Sequence, residues 1–450
     1  MKTFFVGKSG PNLATVRSWL KRFVKFADTY PLRVLWLIIL FALFLSLFTI
    51  ASDAPTMQSG STDSWWTIAV NLIHGQGYSL CIPRYFPFCS PTNQTTAARE
   101  PVPVFLFALV ALLSGESLLA AAVVEVALYL AVLIVVFFLT REWANDRAAL
   151  LAAFLWSFYP TALDLLTQVS GDLLAALTLT LGMLFILRAR RTNFTRDWLV
   201  GGIGLALAVM SRSAILAVVA VIIGGQMFDD IWVNKKNFKQ AAKPFVILSV
   251  SVVLMMTPWL FRTQISLGRP IIGSSLVGYN MLRQSHLFEE TGNYFRYVGG
   301  VEGVEVIQDF LEQKQGLLSG TENEAQMDSI YRTEAIKVIL AHPVKYILLS
   351  GYRFLPLWFN WKIMEGDGHK TDWRGYATMV LQAFLLIFAL IGILRNLYPI
   401  WPLWAGIAAI SLAYMLVESQ LRYLLSVIPL ILSLSASGGL NLFNKYLARG

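Results

Sequence analysis

Apolar residues gather into long runs separated by short polar and basic stretches, and several runs reach about 17 to 25 residues, enough to cross a bilayer's roughly 30 Å hydrocarbon layer as helices. The runs predict spans near 33–51, 117–140, 148–165, 169–188, 198–212, 213–228, 244–260, 376–394, 400–417 and 421–440. Two further apolar stretches, 101–114 and 343–361, are shortened or interrupted by Pro101, Pro103, Pro343 and Pro356, and the second carries Lys345 and Arg353. They read as interfacial or re-entrant helices. The fold class expected is an all-α polytopic membrane protein of about ten transmembrane helices with interfacial helices in its outer loops.

Composition supports this. Of 450 residues, 56% are hydrophobic and 14% charged, and the mean hydropathy is +0.60, more apolar surface than a soluble domain buries. A net charge of +9 raises nucleic acid as a partner, but the basic residues lie in short clusters between apolar runs: Arg188, Arg190, Arg191 and Arg196; Lys235, Lys236, Lys239 and Lys243; Arg395; Lys445 and Arg449. With each cluster on the cytoplasmic side, both termini are cytoplasmic and no nucleic-acid surface is implied. The first span follows a basic stretch too long for a secretory leader, so it is expected to be retained. The chain then divides into a cytoplasmic segment 1–32, a catalytic transmembrane module 33–260 that includes outer loop 52–116, a large outer loop 261–375, and C-terminal helices 376–450. The only two cysteines, Cys81 and Cys89, fall in the first outer loop at a spacing a disulfide can close.

Candidate chemistry sits at the predicted outer ends. Asp63 precedes an amphipathic stretch, Trp65 to Ile73; it reads either as an N-cap or as a general base at the membrane surface. Arg99, before Glu100-Pro101, suits bidentate phosphate binding or headgroup snorkelling. Asp172 opens the fourth span, where a carboxylate is costly unless it faces a cavity, although it can also cap the helix; Asp164 competes with it. Arg212, Arg262 and Arg422 recur on the side that topology makes poor in arginine, and with Arg99 can line one anion pocket. The acidic patch Glu302 to Glu334 reads as a solvated helical face. No Walker A loop, HExxH or dinucleotide fingerprint is present, so neither ATP coupling nor a metal hydrolase is indicated.

Asp63 through Tyr78 follows the pattern Asp, then aromatic-x-x-Ala-x-Asn-Leu-x-x-Gly-x-Gly-Tyr, and Arg99-Glu100-Pro101-Val102-Pro103 comes after it. Phe158-Tyr159-Pro160, Gly171-Asp172, Met210-Ser211-Arg212, Pro258-Trp259 with Arg262, Gly278-Tyr279-Asn280-Met281 and Arg422-Tyr423 with Pro429 continue the series. In this order the chain resembles the GT-C glycosyltransferase superfamily, nearest the bacterial group related to protein O-mannosyltransferases and the lipid A aminoarabinose transferase. It departs from that group in Asp63-Ser64, where O-mannosyltransferases carry Asp-Glu, and in Gly171-Asp172.

The resemblance implies a GT-C-type fold in the cell (inner) membrane with its active site facing outside. It implies transfer of a sugar from a polyprenyl-phosphate donor to a glycan, lipid or protein acceptor, by inverting single displacement. Asp63 would be the base, and Asp172 a second acidic residue orienting acceptor or sugar. Arg99 would hold the donor phosphate, with Arg212, Arg262, Arg422 and Tyr78 as further substrate residues. No cofactor or metal is called for. The competing expectation is a transporter or flippase of a lipid-linked glycan, against which the lack of an internal repeat speaks.

Overall fold

The apolar runs fold as helices because a backbone in hydrocarbon must satisfy its own hydrogen bonds, and a helix does so within one segment. In the computed structural model, residues 22, 25–57, 64–83, 85–89, 94–285, 300–314, 316, 318–359 and 373–447 are described. The helices in chain order are α1 (Pro31–Met57), α2 (Ser64–Ile73), α3 (Pro101–Ser114), α4 (Leu118–Trp143), α5 (Asp146–Trp156), α6 (Pro160–Asp164), α7 (Asp172–Thr192), α8 (Thr195–Val209), α9 (Leu216–Phe228) and α10 (Phe238–Leu267). After them come α11 (Val277–Ser285), α12 (Gly300–Lys314), α13 (Glu324–Ala341), α14 (Pro343–Tyr352), α15 (Phe354–Phe359), α16 (Trp373–Asn396), α17 (Trp401–Val417) and α18 (Ile428–Leu447).

Among the described residues six helices are long and apolar enough to cross a membrane, or seven if the bent pair is one span. The bent pair is the predicted span 148–165. It breaks after Trp156 and turns by 50° into Pro160–Thr167, because Pro160 lacks the N–H a continuing helix needs and its ring would clash with the carbonyl four residues back. The predicted span 421–440 also starts late. Residues Leu421–Ser426 form a 3₁₀ turn, and α18 begins at Ile428 with Pro429 in its first turn, where proline is tolerated. The two proline-rich stretches form the 14-residue α3 and the short pair α14 and α15.

Local signals set the helix ends. Asn145, Asn237 and Asn323 accept backbone N–H bonds from Ala148, Gln240 and Gln326, the last in a capping box. Helix α8 packs between α7 and α10, while α4 lies against α7 and α16 against α18. The principal core is lined by Tyr129, Phe137, Trp156, Leu179 and Trp198. Outward faces carry large apolar side chains such as Trp36, Phe44, Leu254 and Phe384, which lipid covers in a membrane protein.

Helix α7 fixes the polarity of the bundle. Arg190, in its last turn, pairs with Asp229 beyond α9 at 2.8 Å, and Tyr398 donates to the same carboxylate at 2.8 Å. Asp172 opens the other end of this 21-residue helix, about 30 Å away at 1.5 Å per residue. The Arg190 cluster and the Asp172 site therefore occupy opposite ends of the bundle.

Candidate active site

The site is assembled on a short extended segment that leaves α2. Gly75 and Gly77 adopt φ of 76° and 72°, left-handed values that only glycine takes without strain, and they turn the chain back sharply. Asn71 Nδ2 donates to Ser79 O at 2.8 Å across this turn. Residues 78–80 then run antiparallel to 94–96 through Thr96 N to Tyr78 O at 3.1 Å and Leu80 N to Gln94 O at 3.1 Å. A disulfide joins Cys81 and Cys89 just beyond. Much of the Asn-Leu-x-x-Gly-x-Gly-Tyr pattern thus has a conformational reason: it builds the turn and the short antiparallel bridge that lead to Arg99.

Tyr78 is buried, and its hydroxyl donates to Arg99 O at 2.9 Å. Burial pushes that hydroxyl well above its ordinary pKa, so it stays a neutral donor. Arg262 donates to Thr96 O at 2.6 Å and Tyr78 O at 3.0 Å, and its guanidinium lies 4.7 Å from the Tyr78 ring centroid. Both side chains hold the backbone that carries Arg99. The Arg99 guanidinium donates to Ser64 Oγ and lies 4.2 Å from the Trp65 ring centroid.

Asp172 is enclosed by two arginines. Arg212 Nε donates to its Oδ1 at 2.6 Å, and Arg422 Nε donates to its Oδ2 at 2.7 Å. The approach is close because Gly171 has no side chain: a Cβ there would run into Ser211 O. Arg212 also lies 5.5 Å from the Trp65 ring centroid and 5.6 Å from that of Tyr423, so Trp65 takes guanidinium groups from two different loops. Cation–π attraction of this kind favours a planar, partly desolvated guanidinium.

Arg99 and Arg212 border a cavity of about 520 Å³. Four arginines line it, Arg99, Arg212, Arg269 and Arg332, with three carboxylates, Glu100, Asp328 and Glu418. Glu100 accepts from Ser213 N at 3.0 Å and Ser213 Oγ at 3.1 Å; Asp328 pairs with Arg332 at 2.6 Å, and Glu418 pairs with Arg283. Among the described residues no carboxylate pairs with Arg99. Of the expected site residues, Arg99 and Arg212 line the cavity, whereas Asp172, Arg422, Arg262 and Tyr78 do not. Asp63 lies outside the described residues; the next residue, Ser64, begins α2. No group of three or more His, Cys, Asp and Glu among the described residues is placed to hold a metal ion.

The acidic patch requires a correction. Asp309 and Glu312 are exposed on α12, as a solvated face requires, but Glu324 and Asp328 on α13 are buried. Glu324 accepts from Thr96 Oγ1 at 2.7 Å, Ala97 N at 2.8 Å and Ser275 Oγ. Burial nonetheless pushes its carboxyl above the ordinary value, against the donors and Arg262, which favour the charged form. Charge density alone did not separate these residues from their exposed neighbours. The signal present was Asn323-x-x-Gln326, a capping box that starts a helix at Glu324. Glu100 was visible only as the companion of Arg99.

The family model described as dolichyl-phosphate-mannose-protein mannosyltransferase matches residues 97–261, from the clamped segment to the residue before Arg262. Among solved structures the chain is similar to the archaeal oligosaccharyltransferase AglB from Archaeoglobus fulgidus in complex with an inhibitory peptide and a dolichol-phosphate. The identity is 18% and the TM-score 0.54, over 94% of this chain and 52% of that one. The Archaeoglobus fulgidus oligosaccharyltransferase tethered with an acceptor peptide containing the NVT sequon is similar at 17% identity and a TM-score of 0.57, over 94% of this chain and 50% of that one. The chain spans about half the length of these structures. A comparison with curated protein sequences gave no match. The chain thus shares the helical fold of these structures, and its residues 97–261 match the mannosyltransferase family model.

Proposed function

We propose that this protein transfers a sugar from a polyprenyl-phosphate donor to an acceptor at the outer face of the cell membrane. The observation that carries the reading is Arg99: a guanidinium on the wall of a large cavity, stacked on Trp65, with no carboxylate partner among the described residues. A cation that no described carboxylate answers, in a partly dry cavity, suits an anion supplied from outside. A phosphate tethered to lipid suits a cavity walled in part by the membrane helices α9 and α17, and a protein of the same fold carries a dolichol-phosphate.

In this reading the bond from the anomeric carbon to the donor phosphate breaks as an acceptor oxygen or nitrogen attacks from the opposite face, with inversion. Asp63 takes the acceptor proton. Arg99 and Arg212 receive the charge that develops on the leaving polyprenyl phosphate, where fixed guanidinium groups act without reorganising. Asp172 is the countercharge that orients Arg212 and Arg422. Arg262 and Tyr78 serve the donor site through the backbone of residues 78–99. The arrangement of basic clusters at the opposite end of the bundle supports an outward-facing site.

The test is transfer by purified full-length protein in nanodiscs, with radiolabelled polyprenyl-phosphate sugars and a membrane extract as acceptor source. Label entering a water-stable product with wild type, but with neither Asp63→Asn nor Arg99→Gln, is the expected result. Absence of transfer from every donor overturns the reading, and movement of donor between leaflets without transfer replaces it with a flippase.

A further inference from the structure

The four residues that end in Arg99 have every backbone carbonyl taken by a partner from elsewhere in the chain. Thr96 O accepts from Arg262 at 2.6 Å, Ala97 O from Ser275 N at 2.9 Å, Ala98 O from Ser274 Oγ at 2.8 Å, and Arg99 O from Tyr78 Oη at 2.9 Å. Glu324, at the start of α13 and only 2% exposed, joins this set from the other side. One of its oxygens takes Thr96 Oγ1 at 2.7 Å, and the other takes Ala97 N at 2.8 Å together with Ser275 Oγ. Its carboxylate therefore bridges the two segments, 96–97 and 275, that also bond each other directly.

We propose that Glu324 is a positioning residue for Arg99, fixing the backbone from which that guanidinium reaches the cavity. A buried carboxylate is costly to keep, and this one does no work on the cavity wall, which it does not line. Its three donors instead set the path of the 96–99 backbone, so removing the charge frees the segment to shift. A small displacement of the backbone moves the end of an arginine side chain by a comparable distance, and productive geometry tolerates little of that. One consequence is that Ser274, Ser275 and Glu324, which lie beyond the 97–261 family match, hold the backbone at the donor end of the site. That Arg99 meets a lipid phosphate rests on the functional reading above; that Glu324 holds Arg99 in place does not.

Two measurements on the purified full-length protein separate these claims. The first is modification by the arginine reagent phenylglyoxal, read by peptide mass spectrometry as labelling of Arg99 relative to Arg395. Glu324→Gln is expected to raise Arg99 labelling several-fold, and Glu312→Gln, at an exposed position on α12, to leave it unchanged. The second is binding of undecaprenyl phosphate. Glu324→Gln is expected to weaken it about tenfold, the scale of one hydrogen bond to a charged group, and to add no further loss in an Arg99→Gln background, because both changes act on one contact. Unchanged Arg99 labelling in a Glu324→Gln protein that melts like wild type overturns the proposal, as does full additivity of the two losses. If Glu324→Gln fails to fold, Ser275→Ala and Thr96→Val each remove a single donor and are judged by the same criteria. A wild type that binds no undecaprenyl phosphate overturns the functional reading, while the labelling result still decides the role of Glu324.

Discussion

Arg422 and Asp172 stand 250 positions apart in the chain, yet Arg422 Nε donates to Asp172 Oδ2 at 2.7 Å. The bond ties the 3₁₀ turn before α18 to the first residue of α7, and the remaining oxygen of the same carboxylate is held by Arg212. One buried acid thereby sets the position of two guanidinium groups that sequence alone could only place on the same side.

Asp172→Asn leaves two arginines facing each other without the carboxylate that bridges them. The cost expected is about 3 to 5 kcal/mol, as for a buried ion pair broken on one side, and it appears as a lowered thermal midpoint in detergent. Arg422→Gln costs less, because the Arg422 side chain is 31% exposed and Asp172 keeps Arg212. Equal midpoints for the two variants would contradict this account of the triad.

Arg99→Gln and Arg262→Gln, although both remove a nearby arginine, are expected to fail differently. Arg99 donates to one hydroxyl, so its loss leaves the midpoint close to wild type while undecaprenyl phosphate binding weakens by about 1.5 to 3 kcal/mol, or tenfold or more. Arg262 satisfies two backbone carbonyls, so its loss lowers the midpoint. Paired melting and binding curves check both, and a destabilised Arg99→Gln protein with intact binding would reverse the assignment.

Stability should depend on pH through Glu324 and Asp328, whose carboxyls burial raises above their ordinary values. A raised folded pKa means the native state keeps a proton that the unfolded chain has released. Their favourable contribution is thus complete below the ordinary carboxyl range and lost as pH climbs through the raised values. The midpoint of wild type relative to Glu324→Gln is expected to fall as pH rises from the ordinary glutamate value of 4.5. Parallel midpoint curves for the two proteins across that window would count against it.

Reducing the Cys81–Cys89 bond opens a loop whose ends are eight positions apart. Chain-entropy arguments give about 2 to 3 kcal/mol for so short a loop, and the loss should concentrate in the outer loop, leaving the bundle intact. Hydrogen exchange with and without reductant would show faster exchange at 78–89 and none added in α7 or α8; uniform acceleration would mean the loop supports the whole fold.

Part of the cavity wall and its neighbourhood is legible in the chain. Arg99, Arg212 and Arg422 stood out because arginine is scarce on the side opposite the basic clusters, and Asp172 because a carboxylate at a span's end is expensive in lipid. Glu324 and Asp328 did not stand out, since an acidic run has the same appearance whether its helix faces water or packs against another segment. The break at Trp156 and the late start of α18 were written in Pro160 and Pro429, yet hydropathy averaged over a whole span conceals a turn of a few residues.

What the sequence determined by itself was the class of molecule: long apolar runs must become helices in hydrocarbon, and prolines shorten or interrupt them. These are properties of neighbouring residues and of the solvent they meet. Only the tertiary structure decided which charges are answered. Asp172 is saturated by Arg212 and Arg422, Glu324 by the 96–97 segment and Ser275, and Arg99 by no carboxylate among the described residues. Those outcomes depend on separations of a few ångströms between segments remote in the chain, where electrostatic and hydrogen-bond energies change steeply with distance and burial.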